Sequence, residues 1–194
     1  MIGITGVATS GKDTLFNLIE NHFKEKKIVV KRFALADILK KDLEPFVREK
    51  FNLNIFNLKQ EEKELIRPIL VAYGKIKRLN SNGRYWIEKL NLNINEYKNE
   101  KLIPIITDIR YQEYENDESS WLKKENDGIL IHVSRIFKGK LIPPANAEEN
   151  KNDIILSKRS DYSITWCTEQ NVNLLYKEYK NNLEEIYELY KTRL

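Results

Sequence analysis

One cysteine in 194 residues, Cys167, excludes an internal disulfide and any cysteine-based metal cluster. No apolar run approaches the roughly 20 residues that a membrane span requires. Hydrophobic residues make up 41% of the chain and charged ones 32%, the balance of a soluble globular protein. No Ser-His-Asp set, zinc-ligand spacing or glycosidase-like carboxylate pair stands out, and His132, inside an apolar run, reads as a core residue. Internal repeats, low-complexity tracts and linkers are missing, so a single domain spanning 1–194 is expected. The net charge of +4 suits a polyanionic ligand but is modest. Nucleic-acid binders more often carry a concentrated basic face, and composition leaves a nucleotide enzyme and a nucleic-acid binder both open.

What is present is concentrated at the start. Ile4-Thr5-Gly6-Val7-Ala8-Thr9-Ser10-Gly11-Lys12-Asp13-Thr14 has the layout of a phosphate-binding loop: β-branched strand, glycine-bounded turn, lysine, helix. Successive backbone N–H groups and the positive end of the helix dipole point into one concavity, and the lysine adds a mobile charge. A nucleoside triphosphate is therefore the expected ligand. Asp13 stands where the strict pattern has Ser or Thr, with Thr14 after it. Asp13 either holds Mg²⁺ through water or stabilises the helix N-terminus, and Thr14 either donates to a phosphate or metal or caps locally. A motif beginning by residue 6 leaves no room for a signal peptide, so the cytoplasm is the expected compartment (the host's, if the protein is viral).

Periodicity places strands at 2–6, 28–33, 102–107, 129–133 and 163–166. Helices are expected at 13–25, 36–51 with an interruption at Pro45, 61–79, 85–92, 117–125 and 173–194. In the 61–79 helix Leu65, Ile69, Ala72 and Ile76 form the expected core stripe. Strands alternating with helices imply a doubly wound, mostly parallel five-stranded sheet with helices on both faces. The helical part at about 36–100 is expected to bind substrate. Residues 137–158 are the least periodic and read either as a lid-like flap, about 136–160, or as a plain surface loop.

Two further clusters carry charge. Asp108 and Arg110 follow the apolar strand 102–107, at the carboxyl end where open α/β sheets bind ligands. They read as a metal- or substrate-binding acid with a phosphate clamp, or as a structural ion pair. Arg67, Gly74, Lys75, Arg78 and Trp86 sit on the 61–79 helix and beyond. The arginines can clamp a second anion and Trp86 can stack on a base; alternatively they are surface charges and a core tryptophan. Cys167 reads as a packing residue. The lack of a general base suits phosphoryl transfer, which needs positioning and charge neutralisation.

Four blocks in order resemble the deoxynucleoside monophosphate kinases of tailed bacteriophages, well over residues 1–135 and loosely beyond. They are Gly6 to Thr14; Phe33 to Lys40; Ile66-Arg67-Pro68 to Gly74 with Tyr85-Trp86-Ile87; and Pro104 to Tyr111 with Ile131-His132-Val133-Ser134-Arg135. The resemblance implies a P-loop NTPase fold and ATP- and Mg²⁺-dependent transfer to a (deoxy)nucleoside monophosphate. It places the donor site at Gly6, Ser10, Gly11, Lys12, Asp13 and Thr14, with Asp13 and Thr14 toward the metal. It places the acceptor site at Lys40, Arg67, Gly74, Lys75, Trp86 and Asp108, beside which Arg78 is the second arginine able to clamp an anion. It gives Arg110 and Arg135 the transition-state charge, to which the loop lysine Lys12 adds its own. The sequence departs from that family at Val71, usually glutamine, at Lys75, often threonine, and at Ala145 to Glu149, which lacks a histidine. The Ser-Gly-Lys-Asp loop is also similar to that of animal-type phosphomevalonate kinases, which keeps a non-nucleotide phosphate acceptor open. A DNA-associated P-loop ATPase is the third reading. No membrane or stable nucleic-acid partner is expected, and a homodimer is left open.

Overall fold

The computed structural model describes residues 1–167 and 172–193. At its centre β1 (Ile2–Thr5) pairs in parallel with β3 (Leu102–Ile106) on one side and β4 (Ile129–Phe137) on the other. β2 (Val29–Phe33) flanks β3 and β6 (Tyr162–Cys167) flanks β4, both parallel. The strand order is thus β2-β3-β1-β4-β6, and a two-residue strand, β5 (Lys140–Leu141), turns back antiparallel on the end of β4. Among the described residues the sheet has six strands where five are predicted, because this short hairpin carries no alternation to read.

Period-2 side-chain alternation divides the core. Ile2, Ile4, Ile129, Ile131 and Val133 face α1 (Lys12–Glu25) and α8 (Lys180–Lys191), meeting Leu15, Ile19, Phe23, Leu183 and Ile186. Leu130 and Ile106 face the opposite layer, with Trp121, Leu122 and Leu156. Gly3 also faces that way: a Cβ there would lie 2.3 Å from Leu122 Cδ2. Each fully buried aliphatic contributes about 1.5–3 kcal/mol, so these two layers carry the fold.

The second layer includes α2 (Leu35–Phe51), α3 (Gln60–Asn80) and α4 (Arg84–Asn95), with a satellite core of Leu43, Val47, Ile55, Leu58 and Ile66 between α2 and α3. Pro45 lies inside α2 without ending it. The face of α3 differs from expectation. Leu65 is 75% and Ile76 55% exposed, whereas Ile66, Gly74 and Arg78 are buried. The inward face combines Ile66, with Ile69, Leu70 and Tyr73 packed against the satellite core, and Arg78 in its buried ion pairs. Of the predicted stripe, Ile69 packs inward while Leu65 and Ile76 do not.

α5 (Glu118–Ser120) runs into a π-helical turn, Trp121–Glu125. Residues 137–158 are more regular than predicted: beyond β5, α6 (Ala147–Arg159) begins with Asn146 accepting from Glu149 N at 2.9 Å. Asn146 with glutamate three residues on is a helix-start signal, masked by the low apolar content of α6. The final helix is broken at Tyr179 into α7 (Val172–Glu178) and α8, and Leu194, the end of the predicted helix, lies outside the described residues. Among the described residues no helix is long and apolar enough to cross a membrane.

Candidate active site

β1 runs into a loop whose backbone tolerates few side chains. Gly6 has φ 137°, and a Cβ there would lie 2.2 Å from Val133 O on β4. Gly11, φ 93°, precedes α1 and provides no side-chain cap for its first turn. The first amides of α1 thus lack a capping side chain at the positive end of the helix dipole, the arrangement that receives an anion. Trp166 on β6 supports the loop from beneath, donating Nε1–H to Ser10 O at 2.9 Å. Ser10 Oγ is buried without a hydrogen-bond partner.

Lys12 folds back over the loop, donating from Nζ to Gly6 O at 2.7 Å and Val7 O at 2.8 Å. Burial, then the neighbouring Arg110 charge, depress its pKa to about 8, against the opposing pull of Glu149, Asp108 and Asp13. Arg135 reaches the same loop, with Nη1 3.3 Å from Thr9 O. Asp13, exposed on the first turn of α1, accepts from Arg32 Nε at 3.2 Å, and Arg32 also binds Asp37 at 2.7 Å. Arg32 therefore ties the first turns of α1 and α2 together.

The amide of Ala8 is already occupied. It donates to Glu149 Oε1 at 2.7 Å. Beside it opens a cavity of about 180 Å³ whose lining includes Gly6, Lys75, Arg110, Tyr111 and Glu149. Loop, α3, the segment after β3 and α6 meet there, so the structure brings Gly6, Lys75 and Arg110 to one cavity. Lys75 pairs with Glu148, whereas the Arg110 guanidinium forms no ion pair among the described residues.

Other predicted residues are turned elsewhere. Asp108, buried, accepts from Leu35 N and Ala36 N at 2.8 Å each, so it caps α2. Its burial raises its pKa, opposed by Arg110 and those two amides. Trp86 is 4% exposed, edge-on to Tyr73 and Tyr85, and donates to Gly74 O at 3.2 Å, which makes it core rather than a stacking surface. Gly74 lets α2 approach: a Cβ there would meet Leu39 at 2.8 Å. Lys40, 3.9 Å from Asp37, and Arg67, exposed on α3, do not line the cavity. Cys167 is exposed at the end of β6, not packed, because it sits on the solvent side of that strand.

Arg78 is also no free clamp. It is 5% exposed, bidentate on Asp117 at 2.8 and 3.0 Å, and within 3.2 Å of Glu113 and Glu118. Its guanidinium stacks on Tyr111, 3.8 Å from the ring centroid. Glu118 Oε2 in turn accepts from Arg110 N at 2.6 Å and Tyr111 N at 3.0 Å. This buried network shapes the loop that presents Arg110.

Among the described residues no three or more His, Cys, Asp or Glu side chains converge as a metal cage. Asp13 and Thr14, in the first turn of α1, carry oxygens of the type Mg²⁺ takes beside water and substrate phosphate, with the Asp13 carboxylate shared with Arg32. Trp166, Glu149, Glu118 and Arg32 escaped the sequence reading. Their partners lie 156, 141, 8 and 19 residues away, and no local pattern marks them; the helix-start signal at Asn146 could have drawn attention to Glu149.

A scan against protein-family models finds no match, and a search of curated proteins finds none. Among solved structures, the chain is similar to the dephospho-CoA kinase from Campylobacter jejuni, at a TM-score of 0.50 and 16% identity, covering 100% of this chain and 98% of that one. With the strand order, the glycine-bounded loop and the lysine at the start of α1, this likeness shows the fold: a P-loop NTPase fold, with a mostly parallel sheet between two helical layers.

Proposed function

We propose that the protein is an ATP- and Mg²⁺-dependent kinase that transfers a phosphoryl group to a (deoxy)nucleoside monophosphate, giving the diphosphate. The observation that carries this reading is the convergence of Gly6 of the loop with Lys75 and Arg110 on one cavity. The start of the glycine-bounded loop and two cations border a shared space, which supports a reading in which two phosphates are brought together.

In this reading the triphosphate tail lies on the loop amides and the first turn of α1. Lys12 exchanges the carbonyls of Gly6 and Val7 for phosphate oxygens. Arg110 and Lys75 hold the acceptor phosphate, and Arg135, anchored near Thr9 O, adds charge on the donor side. Mg²⁺ near Asp13 and Thr14 would supply charge neutralisation on the donor phosphates. An acceptor phosphate oxygen bonds to the γ-phosphorus as the bond to the β–γ bridging oxygen breaks, and ADP leaves. A phosphate monoester, with a second pKa of about 6, is mostly dianionic at neutral pH and needs no base. In this structure the carboxylates of the cavity are engaged: Glu148 by Lys75, Asp153 by His132 and Glu149 by Ala8 N.

The test is ADP release with ATP and Mg²⁺ and, separately, each deoxynucleoside and ribonucleoside monophosphate, phosphomevalonate, dephospho-CoA, and single- or double-stranded DNA. Stimulation by a nucleoside monophosphate is expected. Stimulation by phosphomevalonate or dephospho-CoA alone would move the acceptor to another metabolite, and stimulation by DNA alone would remove the kinase reading.

A further inference from the structure

Two consecutive carboxylates on the first turn of α6, Glu148 and Glu149, line the cavity. Glu149 bridges the Ala8 amide of the loop at 2.7 Å and the Ala145 amide at 2.5 Å. Glu148 holds Lys75 of α3. Both flank the helix start fixed by Asn146. An anion placed by the protein on a loop amide is the interaction a phosphate would make there.

We propose that Glu148 and Glu149 form a latch in which Glu149 stands in for phosphate on the Ala8 amide of the empty loop, so that a triphosphate entering the loop displaces α6 and frees Lys75 for the second substrate. This rests on the nucleotide-binding reading above and adds its regulation. One N–H cannot serve Glu149 and a phosphate oxygen together, and two anions on the same loop repel. Because Glu148 and Glu149 are adjacent in one helical turn, the turn that carries Glu149 away also carries Glu148 from Lys75. Linkage makes the effect reciprocal: an acceptor phosphate that takes Lys75 from Glu148 also tightens triphosphate binding. The α6 segment thus sets an order, with the donor opening the acceptor site, and keeps the two anion sites closed when both are empty.

The experiment is calorimetric titration of ATP with Mg²⁺ into the full-length wild type and Glu149→Gln, with thermal unfolding as a check on folding. The amide removes the charge and keeps the size. Glu149→Gln is expected to bind ATP at least about fivefold more tightly, within the range typical of coupled sites. Equal or weaker binding by the variant, with the wild type binding ATP, would overturn the latch and leave the nucleotide reading standing. No ATP binding by either protein would overturn both. As a measurement that needs no variant, hydrogen exchange in residues 145–149 of the wild type is expected to rise when ATP and Mg²⁺ are added. Unchanged or slower exchange would mean that α6 stays on, or closes over, the nucleotide, against the proposal.

Discussion

The indole of Trp166 fills the space into which any side chain at position 11 would project: a Cβ on Gly11 would lie 2.6 Å from Trp166 Cζ2 and 2.8 Å from Nε1. The last of the parallel strands therefore sets the shape of a loop that begins at the first. Gly11 has φ 93° as well, which strains any other residue. Gly11→Ala is expected to lose ATP binding and to lower Tm by about 5 °C, since strain of about 1–3 kcal/mol shifts a chain of this size by a few degrees per kcal/mol. Trp166→Phe, which removes the hydrogen bond to Ser10 O and part of the packing, should weaken ATP binding while folding is retained. Calorimetry and thermal melts on both variants check this, and unchanged ATP affinity in both would argue against support of the loop by Trp166.

Lys12 titrates near the working range. Its pKa of about 8 in the free protein arises from burial and then from Arg110, and a bound phosphate requires the ammonium form. ATP affinity is expected to be level from pH 6.5 to 7.5 and to fall above pH 8, approaching tenfold per pH unit. Binding in that range takes up a proton, which calorimetry in buffers of different ionisation enthalpy would detect. Lys12→Ala should abolish turnover with any acceptor; near-normal kcat would remove it from the chemistry.

Arg78 separates structure from binding. Arg78→Leu leaves Asp117 and Glu118 buried without their counter-charge, a cost of about 3–5 kcal/mol. The expected result is a large fall in urea midpoint. A variant of wild-type stability with a raised acceptor KM would instead make Arg78 a substrate contact.

Arg67 is exposed on α3 and does not line the cavity. If α3 closes on the acceptor, Arg67→Ala will raise the acceptor KM far more than that of ATP. Equal effects, or none, would leave Arg67 as a solvated surface charge.

Strands, most helices and the loop were legible in the sequence because their signals are local: glycines at fixed offsets, β-branched runs, a 3.6-residue period. Lys75 and Arg110, singled out beside a glycine and at a strand end, do line the cavity with Gly6, although position on a lining does not by itself assign a role. What remained hidden depends on pairing between distant segments. The inward face of α3 includes Ile66 and Arg78 with its carboxylates, and leaves Leu65 and Ile76 of the apolar stripe outside. Trp86 and Asp108 looked like ligand contacts because an aromatic or a carboxylate in a motif does not reveal which way it turns. Glu149 was invisible as a loop partner because 141 residues separate it from Ala8.

The carboxylate of Asp108 fastens the first two amides of α2 directly to the end of the central sheet. Pivoting α2 at that junction would strand a buried charge, so this helix travels with the strands as one piece. The releasable tie lies on the opposite bank, where Glu149 joins the first turn of α6 to the loop, so a departure of that turn would leave the sheet and α2 undisturbed.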